Sequence, residues 1–238
     1  MLCGDAVRER PILFSGPMVR AILNGSKTQT RRVLGGGWFD AGDGTFLHVK
    51  RGCTHTIDDT ENREGLLRWC PYGVPGDRLY VRESWGIVNM RCLTSVMPDQ
   101  QQIAYRAGKQ MGIPPKEGPC TLDRFTTEWR DDFTPDRWRP SIHMPHWASR
   151  LTLEVVNVRV ERLNQITPAD AIAEGIPPAA NSVTIDCDTP NPVHDFRSLW
   201  DSINLKRAPW SSNPWVWAIT FKPLAEPAET KEEMTIEN

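Results

Sequence analysis

The chain has 238 residues, a hydrophobic fraction of 39%, a charged fraction of 24% and a formal net charge of −2, which is typical of a soluble globular protein with one large domain or two small ones. No run of about 18 apolar residues is present, so the sequence predicts no transmembrane helix, and the first residues lack the layout of a signal peptide. The six cysteines share no repeated spacing, which favours reduced thiols in the cytoplasm over a disulfide framework.

Charge is unevenly distributed along the chain. Residues 225–238 contain five glutamates and one lysine, a net charge of −4, which leaves +2 for residues 1–224. We expect residues 223–238 to be an acidic tail without fixed structure, and residues 1–222 to form a single domain. A body of such low charge does not favour a protein that binds duplex DNA through general electrostatic attraction.

The N-terminal part of the chain predicts a strand, a helix and a second strand. Residues 11–14 predict the first strand, and residues 18–23 predict a short helix that ends in a left-handed cap at Asn24-Gly25. Residues 27–33 alternate in the manner of a strand.

Two irregular stretches interrupt the predicted elements. Residues 34–70 predict a long loop with a hairpin around residues 45–49, and loops of this length often form a lid or a binding surface. Residues 78–83 form a predicted strand after a Gly-Asp turn. The second insertion, residues 86–140, contains one predicted strand at residues 103–106.

The C-terminal part of the chain is more regular. Residues 149–160 have the clearest two-residue period and predict a long strand, and residues 167–175 predict a helix with a threonine cap and a glycine after its end. A helix at residues 193–203 and a strand at residues 214–221 follow. Short strands outnumber helices, which predicts an α+β fold: a small mixed β-barrel with two or three flanking helices and two long loop insertions.

The segment Gly25–Arg32 contains three cations and three hydroxyls in eight positions. On a regular strand Lys27 and Thr30 would face opposite sides, so a bulge or turn is needed to bring them together. A desolvated lysine close to other cations has a lowered pKa and can act as a base, and a threonine hydroxyl beside it can act as a nucleophile. The alternative from spacing alone is a solvated basic strand.

The pattern Gly25-x-Lys27-x-x-Thr30-x-Arg32 resembles the signature of the ASCH domain family, which has a PUA-like β-barrel and is associated with RNA. The order of predicted elements is also similar across residues 11–222, although the two insertions have no counterpart in the smallest members. Many members carry an acidic residue at the position of Thr30. The form Lys-Thr-x-Thr-x-Arg resembles the small ASCH enzymes that hydrolyse N4-acetylcytidine to cytidine and acetate.

This resemblance implies a catalytic set of Lys27, Thr30 and Glu174. The family glutamate lies in a stretch Ala-x-x-Glu-Asn, and residues 171–175 match its alanine and glutamate but end in glycine. Either Thr30 attacks the acyl carbon while Lys27 takes its proton, or Lys27 and Glu174 activate a water that Thr30 positions. Arg32 or a backbone N–H would hold the oxyanion.

Four further residues are candidates for binding the nucleoside. Glu83 is placed to read the cytosine edge and Trp85 to stack on its ring, with a rim ion pair and a core indole as the alternatives. Phe14 and Tyr105 are also candidates for the substrate site, although such residues more often belong to a core.

No metal and no cofactor is predicted. His48, Cys53, His55 and Cys70 have spacings of five, two and fifteen residues, which fit no standard zinc finger. Residues 138–147 are rich in rings and cations, and could face a nucleic acid or cap the barrel.

The expected function is therefore an N4-acylcytidine amidohydrolase with a nucleoside substrate. If the insertions form an open wall, acyl groups larger than acetyl should also be accepted. An RNA-binding module without catalysis is the alternative, and a ribonuclease is a third possible function. The physiological substrate and the oligomeric state stay open.

Overall fold

The computed structural model describes residues 7–35, 38–40, 45–48, 53–56, 65–90, 100–107, 111–112, 135, 137–178 and 191–224. In chain order, its strands are β1 (Glu9–Leu13), β2 (Gln29–Val33), β3 (Trp38–Asp40), β4 (Thr45–His48), β5 (Cys53–Thr56), β6 (Arg78–Arg82), β7 (Trp85–Met90), β8 (Gln100–Tyr105), β9 (Met111–Gly112), β10 (Thr152–Arg162) and β11 (Trp215–Pro223). Its longer helices are α1 (Gly16–Leu23), α2 (Pro168–Ala173) and α3 (Pro192–Asn204). The α+β class predicted from the sequence is confirmed.

A five-stranded mixed sheet with the order β1-β6-β10-β11-β2 forms the centre of the protein. The β1–β6 pair is parallel, and the other pairs are antiparallel. Within the described residues β1 and β2 are the edge strands and no closed barrel is found, so the small barrel stays a prediction. The alternation of β10 buries Leu153 and Val155 in the largest core cluster, together with Trp217 and Phe221 from β11.

The first insertion is more regular than the long loop that its sequence predicts. Strands β3, β4 and β5 form a three-stranded antiparallel sheet, which contains the hairpin expected around residues 45–49. Strands of three or four residues are too short to show a recognisable alternation in the sequence, so the sequence predicted a hairpin here but not a third strand.

The second insertion contains another three-stranded sheet, formed by β7, β8 and β9. The strand predicted at residues 103–106 belongs to β8, but β7 was not predicted. Gly86 weakens the strand signal of β7, yet this glycine is required there, because a Cβ atom at that position would lie 2.5 Å from the Pro135 side chain.

The helices follow their sequence signals closely. Thr167 caps α2, and Asn191 caps α3, each by accepting a backbone N–H in the first turn. Within the described residues, no helix combines the length and the apolar character that crossing a membrane requires. The acidic tail predicted for residues 223–238 lies outside the described residues after Leu224.

Candidate active site

The backbone of Lys27 is held between the ends of two helices. Gly25 follows α1 with φ +78°, as the left-handed cap in the sequence predicts, and the Lys27 N–H then donates to the Ala21 carbonyl at 2.9 Å. The next N–H, from Thr28, donates to Ala173 at the end of α2 at 2.8 Å. Lys27 therefore lies just before β2, in an isolated bridge with Glu174, rather than within a regular strand.

Glu174 is the residue that ends α2. Its N–H donates to the Asp170 carbonyl at 2.9 Å, and Gly175 then turns the chain with φ +93°. A Cβ atom on Gly175 would lie 3.3 Å from the Lys27 Cβ, which shows how closely the two backbones approach. This approach brings the Glu174 side chain within reach of the lysine.

Lys27 and Glu174 form a buried ion pair. Lys27 Nζ donates to Glu174 Oε2 at 2.7 Å and to the Glu174 carbonyl at 2.8 Å, and Lys27 is only 1% exposed. Burial lowers the pKa of Lys27; the Glu174 carboxylate opposes this, while the charges of Arg32 and Arg31 lower the pKa further. A lowered pKa increases the fraction of neutral amine, the form that can accept a proton.

Arg31 extends this pair into a larger charged cluster. Its side chain is fully buried, and its Nη1 donates to Glu174 Oε1 at 3.3 Å and to Gln29 Oε1 at 2.6 Å. Its Nη2 lies 2.6 Å from Glu161 Oε1 and 3.3 Å from Asp170 Oδ2. Lys27, Glu174, Glu161 and Asp170 are thus joined through one guanidinium.

Asp170 links the cluster to the start of α2. Burial alone would raise its pKa, but the hydrogen bonds from Thr167, the charge of Arg31 and the hydrogen bond from Arg159 outweigh this and lower the pKa to about 2. Asp170 is also the partner of Thr167 in a capping box. The carboxylate that stabilises the first turn of α2 therefore also anchors Arg31.

Thr30 lies on β2 beside the same cluster. It is buried, and it lines a small cleft together with Glu174 and Arg32. Among the described residues its hydroxyl has no hydrogen bond within 3.5 Å. The apolar wall of the cleft comes mainly from α3, with the side chains of Phe196, Leu199, Trp200 and Ile203.

Phe14 and Arg32 complete the surroundings of Lys27. The Phe14 ring lies under both cations, with its centroid 5.8 Å from Lys27 Nζ and 5.3 Å from the Arg32 guanidinium carbon. Arg32 is also anchored by a 2.5 Å hydrogen bond to the Leu13 carbonyl. Phe14 is buried and packs against Phe221 in the core, so in the described structure it supports the two cations from below.

The other three predicted substrate residues form a second cluster. Glu83 is buried and accepts two hydrogen bonds from Arg150, at 2.8 Å and 3.0 Å, so an ion pair is present, but it is buried and does not lie at a rim. Trp85 and Tyr105 are buried in one small core, and the Tyr105 hydroxyl donates to the Ala148 carbonyl at 3.0 Å. None of the three contacts Lys27, Thr30 or Glu174 among the described hydrogen bonds, ion pairs and ring contacts.

The histidines and cysteines considered as zinc ligands do not form a described site. Cys70 is buried, and burial raises its pKa to about 12, which keeps the thiol protonated and a poor metal ligand. The backbones of His48, Cys53 and His55 lie on β4 and β5, but their side chains lie outside the described residues. Among the residues that are described, no cluster of three metal-binding side chains is found.

Arg31, Glu161 and Asp170 are the site residues that sequence reasoning missed. Arg31 is one of the three cations of the segment Gly25–Arg32, but the sequence predicted no function for it. The available signal was the two-residue period of the predicted strands, which places Gln29 with Arg31 on one face of β2 and Arg159 with Glu161 on one face of β10.

Comparison with known proteins assigns no family to the chain. No family model, no curated protein and no solved structure matches it. The chemistry of the site therefore rests on the contacts of Lys27, Arg31 and Glu174 and on the place of Thr30 in the cleft.

Proposed function

We propose that the chain is an amidohydrolase that removes N4-acyl groups from cytidine-type nucleosides in the cytoplasm. The observation that carries the proposal is the 2.7 Å contact between Lys27 Nζ and Glu174 Oε2, two residues 147 positions apart. The contact is buried beside a cleft that Thr30 lines. A carboxylate and a hydroxyl that line one cleft, with a buried amine hydrogen-bonded to that carboxylate, are groups that can cleave an amide without a metal.

The hydrogen bonds of Lys27 suit a base. A neutral amine has two N–H groups and one lone pair; the two N–H groups can serve the Glu174 carbonyl and Oε2, which leaves the lone pair for a proton. In the first route Thr30 Oγ1 bonds to the acyl carbon, and its proton passes to Lys27 Nζ. The bond from carbon to N4 then breaks, and N4 takes a proton from Lys27 or Glu174.

Water completes either route. In the first route it hydrolyses the ester on Thr30 and releases the carboxylic acid, which regenerates the hydroxyl. In the second route, Lys27 and Glu174 remove a proton from water, which attacks the acyl carbon while Thr30 positions it; the bond from carbon to N4 then breaks, and N4 takes that proton. Arg32 lines the cleft and is proposed to stabilise the oxyanion, since the neighbouring Arg31 guanidinium is paired with Glu161 and Glu174.

The resemblance to the ASCH family supports this proposal in one further detail. The glycine at position 175 replaces the asparagine of the family pattern, and Gly175 has φ +93°. Glycine and asparagine are the residues that most readily adopt the left-handed conformation, so the change preserves the turn after Glu174. We also propose that the five-stranded sheet is part of a PUA-like barrel.

The test is hydrolysis of N4-acetylcytidine by the purified full chain, followed as the change in absorbance when cytidine forms. Lys27→Met keeps the length and apolar bulk of the stem but removes the amine, and should reduce kcat by at least about 100-fold. Ser26→Ala, at an exposed neighbouring position, is the control and should retain activity. Full activity of Lys27→Met would reject the proposed roles.

Three further measurements define the reaction. Added chelator should leave the rate unchanged, because the proposed route uses no metal. A series of acetyl, butyryl and benzoyl substrates tests the range of acyl groups, and restriction to acetyl would contradict the predicted tolerance. Mass spectrometry of the wild type during turnover distinguishes the routes, since only the first forms a covalent ester on Thr30, and Thr30→Ala is the control that cannot form it.

A nucleic-acid-binding module is the second candidate, and one surface favours it. Residues 137–150 contain three arginines, two histidines, two tryptophans and no acidic residue. Trp147 is 50% exposed and packs edge-on against Trp85. The guanidinium carbon of Arg139 lies 4.9 Å from the centroid of the Trp85 ring. Exposed rings among cations can stack on the bases of single-stranded RNA.

A filter-retention assay separates the two candidates. RNA retention that is lost in Trp147→Ala, in a chain that does not hydrolyse N4-acetylcytidine, would favour the binding module. Turnover that is unchanged in Trp147→Ala and abolished in Lys27→Met would favour the amidohydrolase.

A further inference from the structure

We propose that Arg31 is the positioning residue of this site: it holds Glu174 Oε1 in a fixed place so that Oε2 is directed at Lys27 Nζ. The catalytic consequence rests on the proposed function, whereas the structural consequence for Lys27 does not. Arg31 lies outside the Lys27–Thr30–Arg32 pattern, and its role follows from its contacts alone.

The guanidinium of Arg31 is fixed from three directions. Gln29 accepts from Nη1 at 2.6 Å on β2, and Glu161 accepts from Nε and Nη2 at 3.0 Å and 2.6 Å on β10. Asp170 lies 3.3 Å from Nη2 at the start of α2. Because a guanidinium is planar and its donors diverge in fixed directions, these anchors also fix the direction in which Nη1 meets Glu174.

Glu174 is therefore shared between two cations. Its Oε1 lies 3.3 Å from Arg31 Nη1, and its Oε2 lies 2.7 Å from Lys27 Nζ. Without Arg31, the carboxylate is free to rotate and to place both oxygens against the lysine. That arrangement binds the ammonium form of Lys27 more strongly and leaves less of the neutral amine.

The charges of the cluster balance with Arg31 in place. Lys27, Arg31 and Arg159 carry three positive charges, and Glu161, Asp170 and Glu174 carry three negative charges in their ionised forms. Arg32 is the other charge that acts on Lys27. Removing Arg31 leaves a surplus carboxylate and also removes a cation that opposes protonation of Lys27, so both effects make Lys27 harder to deprotonate.

Arg159 is a matched control within the same cluster. It lies 3.3 Å from Glu161 Oε2 and 3.1 Å from Asp170 Oδ1, so its loss removes the same charge from the same two carboxylates. Unlike Arg31, its side chain is 41% exposed and makes no described contact with Glu174. If Arg31 acted only by neutralising Glu161 and Asp170, Arg31→Gln and Arg159→Gln would change the titration of Lys27 alike, whereas positioning predicts a change in Arg31→Gln alone.

The experiment is a pH titration of Lys27 in the full-length chain by NMR of lysine labelled with 13C at Cε, with Lys27→Met to assign the signal. We expect the titration midpoint to move upward by about half a unit or more in Arg31→Gln, and to stay near the wild-type value in Arg159→Gln. Arg31→Lys keeps one positive charge but lacks the planar set of diverging N–H donors. It serves as the second variant if Arg31→Gln does not fold. It should show a smaller upward shift.

Turnover of N4-acetylcytidine is the second readout. Arg31→Gln should reduce kcat about 10- to 100-fold with little change in KM, and its pH–rate profile should move to higher pH, while Arg159→Gln keeps the wild-type profile. Equal Lys27 midpoints in wild type, Arg31→Gln and Arg31→Lys would overturn the positioning role. Absence of turnover in every variant, including wild type, would overturn the proposed function, while the NMR titration would still decide the role of Arg31.

Discussion

At the scale of single residues, the site depends on a glycine that allows two backbones to approach. Gly175 has φ +93°, and a Cβ atom there would lie 3.3 Å from both the Lys27 and the Ala21 Cβ atoms. Gly25 has a similar φ of +78°, but a Cβ atom there would meet nothing within 4 Å. Both positions therefore require a left-handed backbone conformation, but a Cβ atom would be crowded by neighbouring side chains only at position 175.

This difference predicts the outcome of two alanine substitutions. Gly25→Ala should lower the free energy of unfolding by about 1–2 kcal/mol, the cost of a left-handed conformation for a residue with a Cβ. Gly175→Ala should lower it by about 2–4 kcal/mol, because crowding against Lys27 adds to that cost. Urea unfolding of both variants measures the difference, and equal losses would show that the approach is not tight.

The sequence predicted that Lys27, Thr30 and Glu174 belong to the site, but it could not predict the contacts that position them. The motif and its family resemblance marked these three positions, and the described structure brings Lys27 and Glu174 into contact. The contact depends on the bridge between residue 27 and residue 174, which lie on elements distant in sequence. Arg31 was missed for the same reason: its partners come from β2, β10 and α2, and no local pattern specifies that combination.

At the scale of elements, α2 connects helix capping to the site. It has only six residues, so its own hydrogen bonds give little stability, and it depends on the capping box between Thr167 and Asp170. Its C-terminal end carries Glu174. If the first turn of α2 loosens, Asp170 should therefore be displaced directly and Glu174 through the helix.

We expect Thr167→Ala to lower the free energy of unfolding by about 1 kcal/mol, the usual cost of a lost N-cap. It should also raise the pKa of Asp170, because it removes the hydrogen bond from the Thr167 hydroxyl, one of the contacts that lower this pKa, while the backbone N–H of residue 167 stays in place. Thr167→Ser keeps the hydroxyl and is the matched control. Chemical denaturation and 13C NMR of the aspartate carboxyls measure the two effects, and an unchanged Asp170 titration in Thr167→Ala would contradict this account.

The strands differ in how well their sequences predicted them. Strands β10 and β11 are long and bury one or both faces, so their pattern was visible in the sequence. Strands β3, β5 and β7 are short or contain glycine, and their pairing depends on partners that only the fold supplies. The sequence therefore predicted the central sheet better than the two small sheets of the insertions.

At the scale of the whole molecule, the charged cluster joins the central sheet to the helices. Arg31 lies on the edge strand β2, its partners lie on β10 and around α2, and the cleft opens between β2 and α3. A buried ion pair is costly when one partner is lost, since the other charge stays desolvated. Protonation of a carboxylate in this cluster should therefore lower the free energy of unfolding of the whole protein.

Asp170 predicts the direction of this pH dependence. Its pKa is lowered from 3.8 to about 2 in the folded protein, so below about pH 4 the unfolded chain binds this proton more readily than the folded chain. The stability that the ionised carboxylate contributes is present above pH 4 and is lost as the pH falls toward 2. Asp170→Asn removes this proton and keeps the side-chain shape.

The free energy of unfolding of the wild type should therefore fall more steeply between pH 4 and pH 2 than that of Asp170→Asn. For a single proton the two slopes can differ by at most about 1.4 kcal/mol per pH unit, and the partial exposure of Asp170 makes the difference smaller. Urea denaturation at a series of pH values measures both slopes. Parallel curves for the two proteins would show that Asp170 is not held as an ion in the folded state, and Arg31 would then lack one of its three anchors.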